Sequence, residues 1–289
     1  MLTKTLTHFM GSLGKFKGAP RIRNHFLDVF KPTGLFHCQT RQGIRLRVNL
    51  KDVVEKMYWI GVHPEDFSIV SDLLRPGDTF IDVGANIGTW TVFAARTVGT
   101  TGKVISYEPS PVTYPRLRNH VTLNQVTEIV QPIHSAVGNF VGETQFFHDV
   151  DHAGASRICK TEKNGYTIPI TSLNESLQGV RPNLIKIDVE GHEAEVISGA
   201  KKIISEHLPQ IILEYNPHII GRPISLTEFD PYRQLSALGY KVYHCESLET
   251  LQEGLLNPSW SSNRFTNLLF KHPSTEEERS PSSIKFDGC

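Results

Sequence analysis

Three groups of chemically capable side chains each follow a short apolar stretch. The first lies in Thr79 to Thr89, TFIDVGANIGT. Asp82 sits among the strand formers Phe80, Ile81 and Val83. Gly84 and Gly88 then bracket Ala85, Asn86 and Ile87, and the apolar positions of Trp90 to Arg96 fit a helix. A buried strand that turns through glycine into a helix is a nucleotide-binding start, because glycine lets the backbone approach a ligand and the helix start offers unpaired N–H groups. The second group is Glu108 in VISYEP, Val104 to Pro109. It lies about 20 residues past Gly88, the distance at which a carboxylate reaches both hydroxyls of a ribose. The third is Asn183 to Ser198, NLIKIDVEGHEAEVIS, where Asp188, Glu190 and His192 alternate after a strand. Imidazole is a general base near neutral pH, and the two carboxylates can orient or polarise a neighbour. The plainer alternatives are that Asp82 and Glu108 cap strand ends, and that Glu190 and His192 cap the helix starting near Glu193. Glu193 and Glu195 read as solvated first-turn acids favoured by the helix dipole, and Lys186 as a structural partner for a neighbouring carboxylate.

DVGANIG, YEP and KIDVEGHE, in that order, resemble the FkbM family of S-adenosylmethionine-dependent methyltransferases, over about Arg45 to Phe270. The resemblance implies an α/β, Rossmann-like class I methyltransferase fold: a mostly parallel seven-stranded sheet, its last strand antiparallel, with helices on both faces. It implies S-adenosyl-L-methionine as cofactor. Asp82, Gly84, Ala85, Asn86 and Gly88 would face its amino-acid part, Glu108 its ribose, and Ser135 and Ala136 its adenine. Asp188, Glu190 and His192 would be catalytic, in O-methylation of a hydroxyl on a sugar, glycan, lipid or natural product. One departure is Gly61 to Asp66, GVHPED, where relatives often carry a Tyr-Glu-Pro-like run; His63 and Glu65 stand there instead.

Two other classes compete. A nicotinamide-dependent oxidoreductase would want G-x-G-x-x-G at the first turn, where Asn86 obstructs a pyrophosphate. A non-catalytic binding module is disfavoured by the intact KIDVEGHE run. As for metals, Asp188, Glu214 and Asn216 are oxygen ligands of the kind Mg²⁺ accepts. They form no tight cluster in sequence, so Mg²⁺ is the lesser alternative and no metal ligand is assigned. His148, Asp149, Asp151 and His152, in an HDVDH run, read as a polar loop rather than a metal site.

These residues need a scaffold that brings strand ends together, and the chain's alternation supplies one. Strands are expected at Thr79–Val83, Val104–Tyr107, Ile129–Ala136, Leu184–Asp188, Gln210–Tyr215, Tyr240–His244 and Phe265–Phe270. Helices are expected up to about Val98, over Pro111 to Asn124, from Glu193 to Glu206 and from Thr227 to Leu238. Such alternation predicts a parallel sheet covered on both faces, with ligands outside the strands' carboxyl ends. Pro64 to Leu74 reads as a helix and Gly34 to Val48 as a hairpin turning at Gln42-Gly43. Gly142 to Tyr166 interrupts the alternation as a hairpin or a loop over the site. The organisation expected is an N-terminal extension with a lid or hairpin over 1–74, a methyltransferase domain over 75–271 and a disordered tail over 272–289.

The 289 residues suffice for a sizeable core. Thirty basic and 30 acidic side chains cancel, which argues against nucleic acid as a partner. A small-molecule or glycan acceptor fits better; oligomeric state is left open. No apolar run reaches the roughly 20 residues of a membrane span. The four cysteines make no C-x-x-C pair, consistent with reduced thiols and a cytoplasmic location. The first residues lack acids until Asp28 and read as a helix and arm rather than a transit peptide, since Gly11, Gly14 and Gly18 break them.

Overall fold

The structure is a computed structural model that describes residues 19–61, 67–149, 155–159, 165–216, 225–245 and 266–278. In chain order, the first elements are α1 (Ala19–Phe30), β1 (Leu35–Gln39), β2 (Arg45–Asn49), α2 (Val53–Ile60), α3 (Ser68–Leu73), β3 (Thr79–Val83), α4 (Thr89–Val98), β4 (Lys103–Tyr107), α5 (Tyr114–Leu123) and β5 (Val130–Ile133). Next come β6 (Ala136–Val137), β7 (Gly142–Phe147), β8 (Arg157–Ile158), β9 (Tyr166–Thr171), α6 (Leu173–Ser176), β10 (Leu184–Ile187), α7 (Glu193–His207) and β11 (Gln210–Tyr215). A 3₁₀ turn (Leu226–Glu228), α8 (Asp230–Ala237), β12 (Lys241–His244), β13 (Thr266–Lys271) and α9 (Pro273–Glu278) complete the described chain.

Seven strands form the main sheet in the order β12-β13-β11-β10-β3-β4-β5. From β11 to β5 every pairing is parallel. β13 runs antiparallel to both β11 and β12. This is the α/β class I methyltransferase sheet that the resemblance implies, antiparallel last strand included. The alternation of strand residues sorts the core into two layers. Phe80, Val104, Val130, Leu184, Ile212 and Leu269 pack on one side with Trp90, Val92 and Ala95 of α4. Ile81, Ile105, Ile185, Ile211 and Leu268 pack on the other with Val196, Ile197, Ala200 and Ile204 of α7 and Leu235 of α8. Each fully buried aliphatic side chain contributes about 1.5–3 kcal/mol.

The hairpin β1–β2 forms as expected, with Gly43 at φ 81° in its turn. It is docked onto the sheet's flank, because Phe36, Ile44, Leu46 and Val48 share the first core layer with Tyr58 and Trp59 of α2. Asp52 starts α2 by accepting the Glu55 N–H at 2.8 Å, and Gly61, at φ 91°, ends it. The interruption at 142–166 is a hairpin element: β7 pairs antiparallel with β9 and β8, and β9 lies beside β6, making a small second sheet. Pro273–Glu278 is helical, which corrects the expectation of disorder from His272. The His272 carbonyl accepts the Thr275 N–H at 3.0 Å and its hydroxyl at 2.7 Å, and the His272 ring lies edge-on to Tyr240, so the helix start is anchored on the domain. His63, Glu65, Asp151, His152 and residues 247–264 lie outside the described residues. Cys38, Cys159 and Cys245 form no disulfide.

Candidate active site

β3, β4, β10 and β11 are parallel and adjacent, so the residues after Val83, Tyr107, Ile187 and Tyr215 emerge at one edge of the sheet. A cavity there is lined by Gly84, Ala85, Asn86, Glu108, Ser135, Ala136, Asp188, Glu190, Glu214 and Asn216. Apolar wall comes from Val83 and Tyr107 of the main sheet, from Val137, Phe146 and Ile158 of the small sheet, and from Val54 of α2. Val54 of α2 and residues Phe146, Ser156 and Ile158 of the small sheet region therefore help to enclose it.

The glycine turn is pinned to β4. The N–H groups of Gly84 and Ala85 both donate to the Tyr107 carbonyl, at 3.0 and 2.9 Å. Gly84 has φ 81°, and a Cβ there would stand 1.8 Å from the Asp188 carbonyl oxygen. What glycine permits here is the close approach of two strand ends, besides any approach of a ligand. Gly88 does not line the cavity; a Cβ on it would strike Leu117 at 2.4 Å, so it serves the packing of α4 on α5. Asn86 also takes a left-handed conformation, φ 50°, one that Asn tolerates better than most side chains. Its Oδ1 is shut off from solvent and accepts no hydrogen bond within the protein.

Glu108 is buried at the head of the cavity. Oε2 accepts the Asn86 N–H and Oε1 the Ser110 N–H, both at 2.8 Å. Each oxygen retains acceptor capacity. Burial nevertheless pushes this carboxyl up to about 7, the two N–H donors opposing the shift. The small sheet is tied to the same loop: His148 Nδ1 lies 3.0 Å from Ser110 Oγ and 3.2 Å from Ser156 Oγ.

Asp82 is not on the cavity wall. It is fully buried beneath the turn, where it accepts the Thr91 hydroxyl at 2.6 Å and faces Lys186 Nζ at 3.8 Å across the β3–β10 register. Burial raises its carboxyl and Lys186 opposes the shift. It supports the turn from beneath and is not among the residues that line the cavity. Lys186, half-way along β10, reaches Asp188 Oδ2 at 3.0 Å and lines the cavity.

At the other end, Asp188, Glu190 and Glu214 bring one carboxylate oxygen each within 4.8 Å of one another. Glu190 holds φ 55°, a strained setting for a non-glycine residue, and Asn216 Nδ2 donates to its Oε2 at 3.3 Å. Burial first, then the charges of Asp188 and Glu193, push Glu190 up to about 8. Burial and the neighbouring acids hold Glu214 well above the usual carboxylate range. Glu193 departs from the solvated acid expected. It is buried and its Oε1 accepts the N–H groups of Val189 and Gly191, bracing the turn that carries Glu190.

His192 departs from the expected base. Its Nδ1 lies 3.5 Å from Glu195 on the first turn of α7, and its Nε2 stands 3.0 Å from where a Cβ on Gly138 would be. It does not line the cavity. As the residue preceding α7 it makes no side-chain cap bond. Lys186 pairs with neighbouring carboxylates, as its sequence position suggested, because a buried acid on the adjacent strand needs a cation; sequence reasoning passed over Tyr107, Phe146 and Ile158.

The sequence profile of the methyltransferase FkbM domain matches residues 82–242. The chain is 32% identical over 124 residues to the hexuronic acid methyltransferase AglP of Haloferax volcanii, covering 42% of this chain and 49% of that protein. It is 28% identical over 174 residues to the 31-O-demethyl-FK506 methyltransferase FkbM of Streptomyces tacrolimicus, covering 49% and 66%. It is 24% identical over 174 residues to the methyltransferase sdnD of Sordaria araneosa, covering 48% and 67%. The matched chain thus spans about half the length of the first of these relatives and about two thirds of the others.

Proposed function

The chain belongs to the FkbM methyltransferase family, and from that premise we propose that it transfers a methyl group from S-adenosyl-L-methionine to a hydroxyl of a sugar or natural-product acceptor. The observation that carries this reading is a single cavity with a graded wall. The strand order sets the acids Glu214 of β11 and Asp188 after β10 toward one end, Glu108 after β4, and Ser135 and Ala136 after β5 toward the other, with apolar residues among the lining. A nucleoside with a cationic sulfonium has the complementary order: flat apolar base, ribose hydroxyls, positive charge. The residues fit it. Glu108 has acceptor capacity for the ribose, Ser135 and Ala136 border the apolar side, and the partnerless Asn86 Oδ1 accepts a donor from the ligand.

When bound, the cofactor supplies an electrophilic methyl; the chain's own work is to align an oxygen with it and to receive the proton. Positioning contributes most of the gain in such a transfer. Asp188 and Glu190 face the acceptor end and take the roles of polarising the hydroxyl and receiving its proton. The acceptor class draws on the relatives: one is named for a hexuronic acid and one for a demethylated natural product. Sugar acids and polyhydroxylated products are accordingly the first acceptors to offer.

Calorimetric titration with S-adenosylmethionine, S-adenosylhomocysteine and NAD tests the cofactor, and mass-spectrometric detection of a 14-dalton gain tests transfer, as expected for exchange of a hydroxyl hydrogen for methyl. Micromolar binding of the first two without NAD is the expected result; binding of NAD alone would overturn the reading. Within it, Glu190→Gln is expected to slow turnover by about 100-fold or more with little change in S-adenosylhomocysteine affinity. His192→Ala, whose ring lies away from the cavity, should stay within a few-fold of wild type.

A further inference from the structure

We infer that Asp188, Glu190 and Glu214 form a binding site for a hard divalent cation, of the Mg²⁺ or Mn²⁺ class, at the acceptor end of the cavity. The three ligand oxygens lie within 4.8 Å of one another, and all three residues line the cavity. Two of them are carried by adjacent parallel strands, since Glu214 is in β11 and Asp188 directly follows β10.

A second observation points to a missing partner. Glu214 Oε2 is closed off from solvent and accepts no hydrogen bond from the protein. A buried carboxylate oxygen without a donor is costly, so the group needs either a proton or a cation. The lysine that bears on the cluster does not resolve this. Lys186 is engaged at 3.0 Å by Asp188 and lies 3.8 Å from Asp82. Ionisation of any two among Asp82, Asp188, Glu190, Glu193 and Glu214 already outweighs its single charge. The sulfonium donor carries a carboxylate of its own beside its ammonium, so it adds only about one net positive charge.

The ligand set is all oxygen, which selects hard cations over zinc or copper. Glu190 is held for this role. Its left-handed backbone turns it into the cavity, and Asn216 fixes Oε2 at 3.3 Å. Carboxylates that carry such outer partners keep their orientation when the metal arrives. Three protein ligands leave positions open for oxygen atoms from solvent or acceptor. The cation's purpose rests on the methyl-transfer reading: it supplies Lewis acidity beside the acceptor hydroxyl, with Asp188 and Glu190 acting through it. Its existence does not rest on that reading.

The test uses the full chain stripped with EDTA, without cofactor. Free Mn²⁺ is followed by electron paramagnetic resonance during MnCl₂ titration, and MgCl₂ is titrated by calorimetry. The expected result is a single saturable site, weakened roughly ten-fold or more in Glu190→Gln and in Glu214→Gln. Asn216→Ala, a milder change that leaves the ligands in place, should weaken it several-fold and serves if either carboxamide variant fails to fold by circular dichroism. Glu108→Gln should weaken S-adenosylhomocysteine without moving Mn²⁺ affinity. Absence of saturable Mn²⁺ binding by the wild-type chain overturns the site. So does Mn²⁺ binding that survives all three acceptor-end variants, or an effect of those variants on S-adenosylhomocysteine alone, which would assign the acids to the donor's ammonium. Mn²⁺ binding without S-adenosylhomocysteine binding would instead keep the cation site and sink the methyl-transfer reading.

Discussion

Glu108 joins two titrations of opposite sign. Its folded pKa of about 7 exceeds the ordinary carboxylate value of 4.5 because burial outweighs the two N–H donors. Between those pH values the folded chain keeps a proton that the unfolded chain has released. The stabilisation from this group is therefore full below about 4.5 and is lost as pH rises through 7. Ribose recognition runs the other way, because both hydroxyls donate to the ionised form. S-adenosylhomocysteine affinity is expected to fall by up to about ten-fold per unit as pH drops below 7. Glu108→Gln should flatten that profile; an unchanged slope in the variant would remove Glu108 from ribose binding. Lys186 makes a contrasting residue-scale case. It is the cation facing the fully buried Asp82, and a charge left without its partner in such a place costs about 3–5 kcal/mol. Lys186→Met should lower the urea midpoint by a corresponding amount, with the loss smaller in the double variant Lys186→Met/Asp82→Asn, since removing both charges avoids the stranded one. Equal losses in single and double variants would mean that the pair is not coupled.

Helix α7 shows how an element is positioned by a residue that propensity would reject. Gly199 lies within its interior, where alanine normally stabilises a helix by about 1 kcal/mol. Here a Cβ would stand 1.9 Å from the Gly138 carbonyl oxygen and 2.9 Å from Asn139 Cα, both backbone atoms that cannot swing aside. The collision outweighs the propensity gain. Gly199→Ala is expected to lower stability by about 1–3 kcal/mol in thermal or urea unfolding, and a stabilised variant would refute the close packing. The same approach holds the 136–142 segment, and through it the small sheet whose Phe146 and Ile158 wall the cavity. The brevity of the DVEGH turn before α7 matters as well: Glu193 folds back onto Val189 and Gly191, so the first residue of the helix braces the turn that presents Glu190.

For the whole molecule, the question is how the N-terminal hairpin joins the sheet. Asn124, at the end of α5, accepts the Arg45 N–H at 2.9 Å and donates to the Arg45 carbonyl at 2.8 Å, so it pairs with the edge of β2 as another strand would. It also accepts Arg96 Nη2 at 2.9 Å. His120 Nε2 takes the Arg47 N–H at 2.9 Å. With Phe36, Leu46 and Val48 in the same core layer as Phe80 and Trp90, hairpin and sheet should unfold together. Asn124→Ala is expected to cost on the order of 2–3 kcal/mol for stranding the Arg45 groups, in one transition seen alike by tryptophan fluorescence and circular dichroism. Two separated transitions would show the hairpin to be an independent unit. Among the described residues no helix is long and apolar enough to cross a membrane.

The strand–glycine–helix turn, the alternation of strands and helices along the chain and the place of Glu108 at the end of the second strand were legible in the sequence, because they depend on local preferences and on spacing along one chain. TFIDV, KVISY and LIKI read as buried strands from their own side chains, and DVGANIG resembles a family from its order of residues alone. Direction and partnership were not legible. Asp82 and Glu108 both close apolar strands, yet only Glu108 faces the cavity, since strand alternation and the turn's bend decide which side each carboxylate leaves from. His192 follows Glu190 by two positions, but the left-handed backbone at Glu190 and Gly191 sends the imidazole over Gly138 and the carboxylate into the site. Lys186 meets Asp82 only because β10 pairs with β3 in that register. Glu214 joins Asp188 and Glu190 only because β11 lies beside β10, and their shared burial is what moves their protonation. Local chemistry along the chain determined the elements and the cofactor class they suggest; the pairing of strands distant in sequence decided which charges meet, because burial and Coulomb interaction act through space.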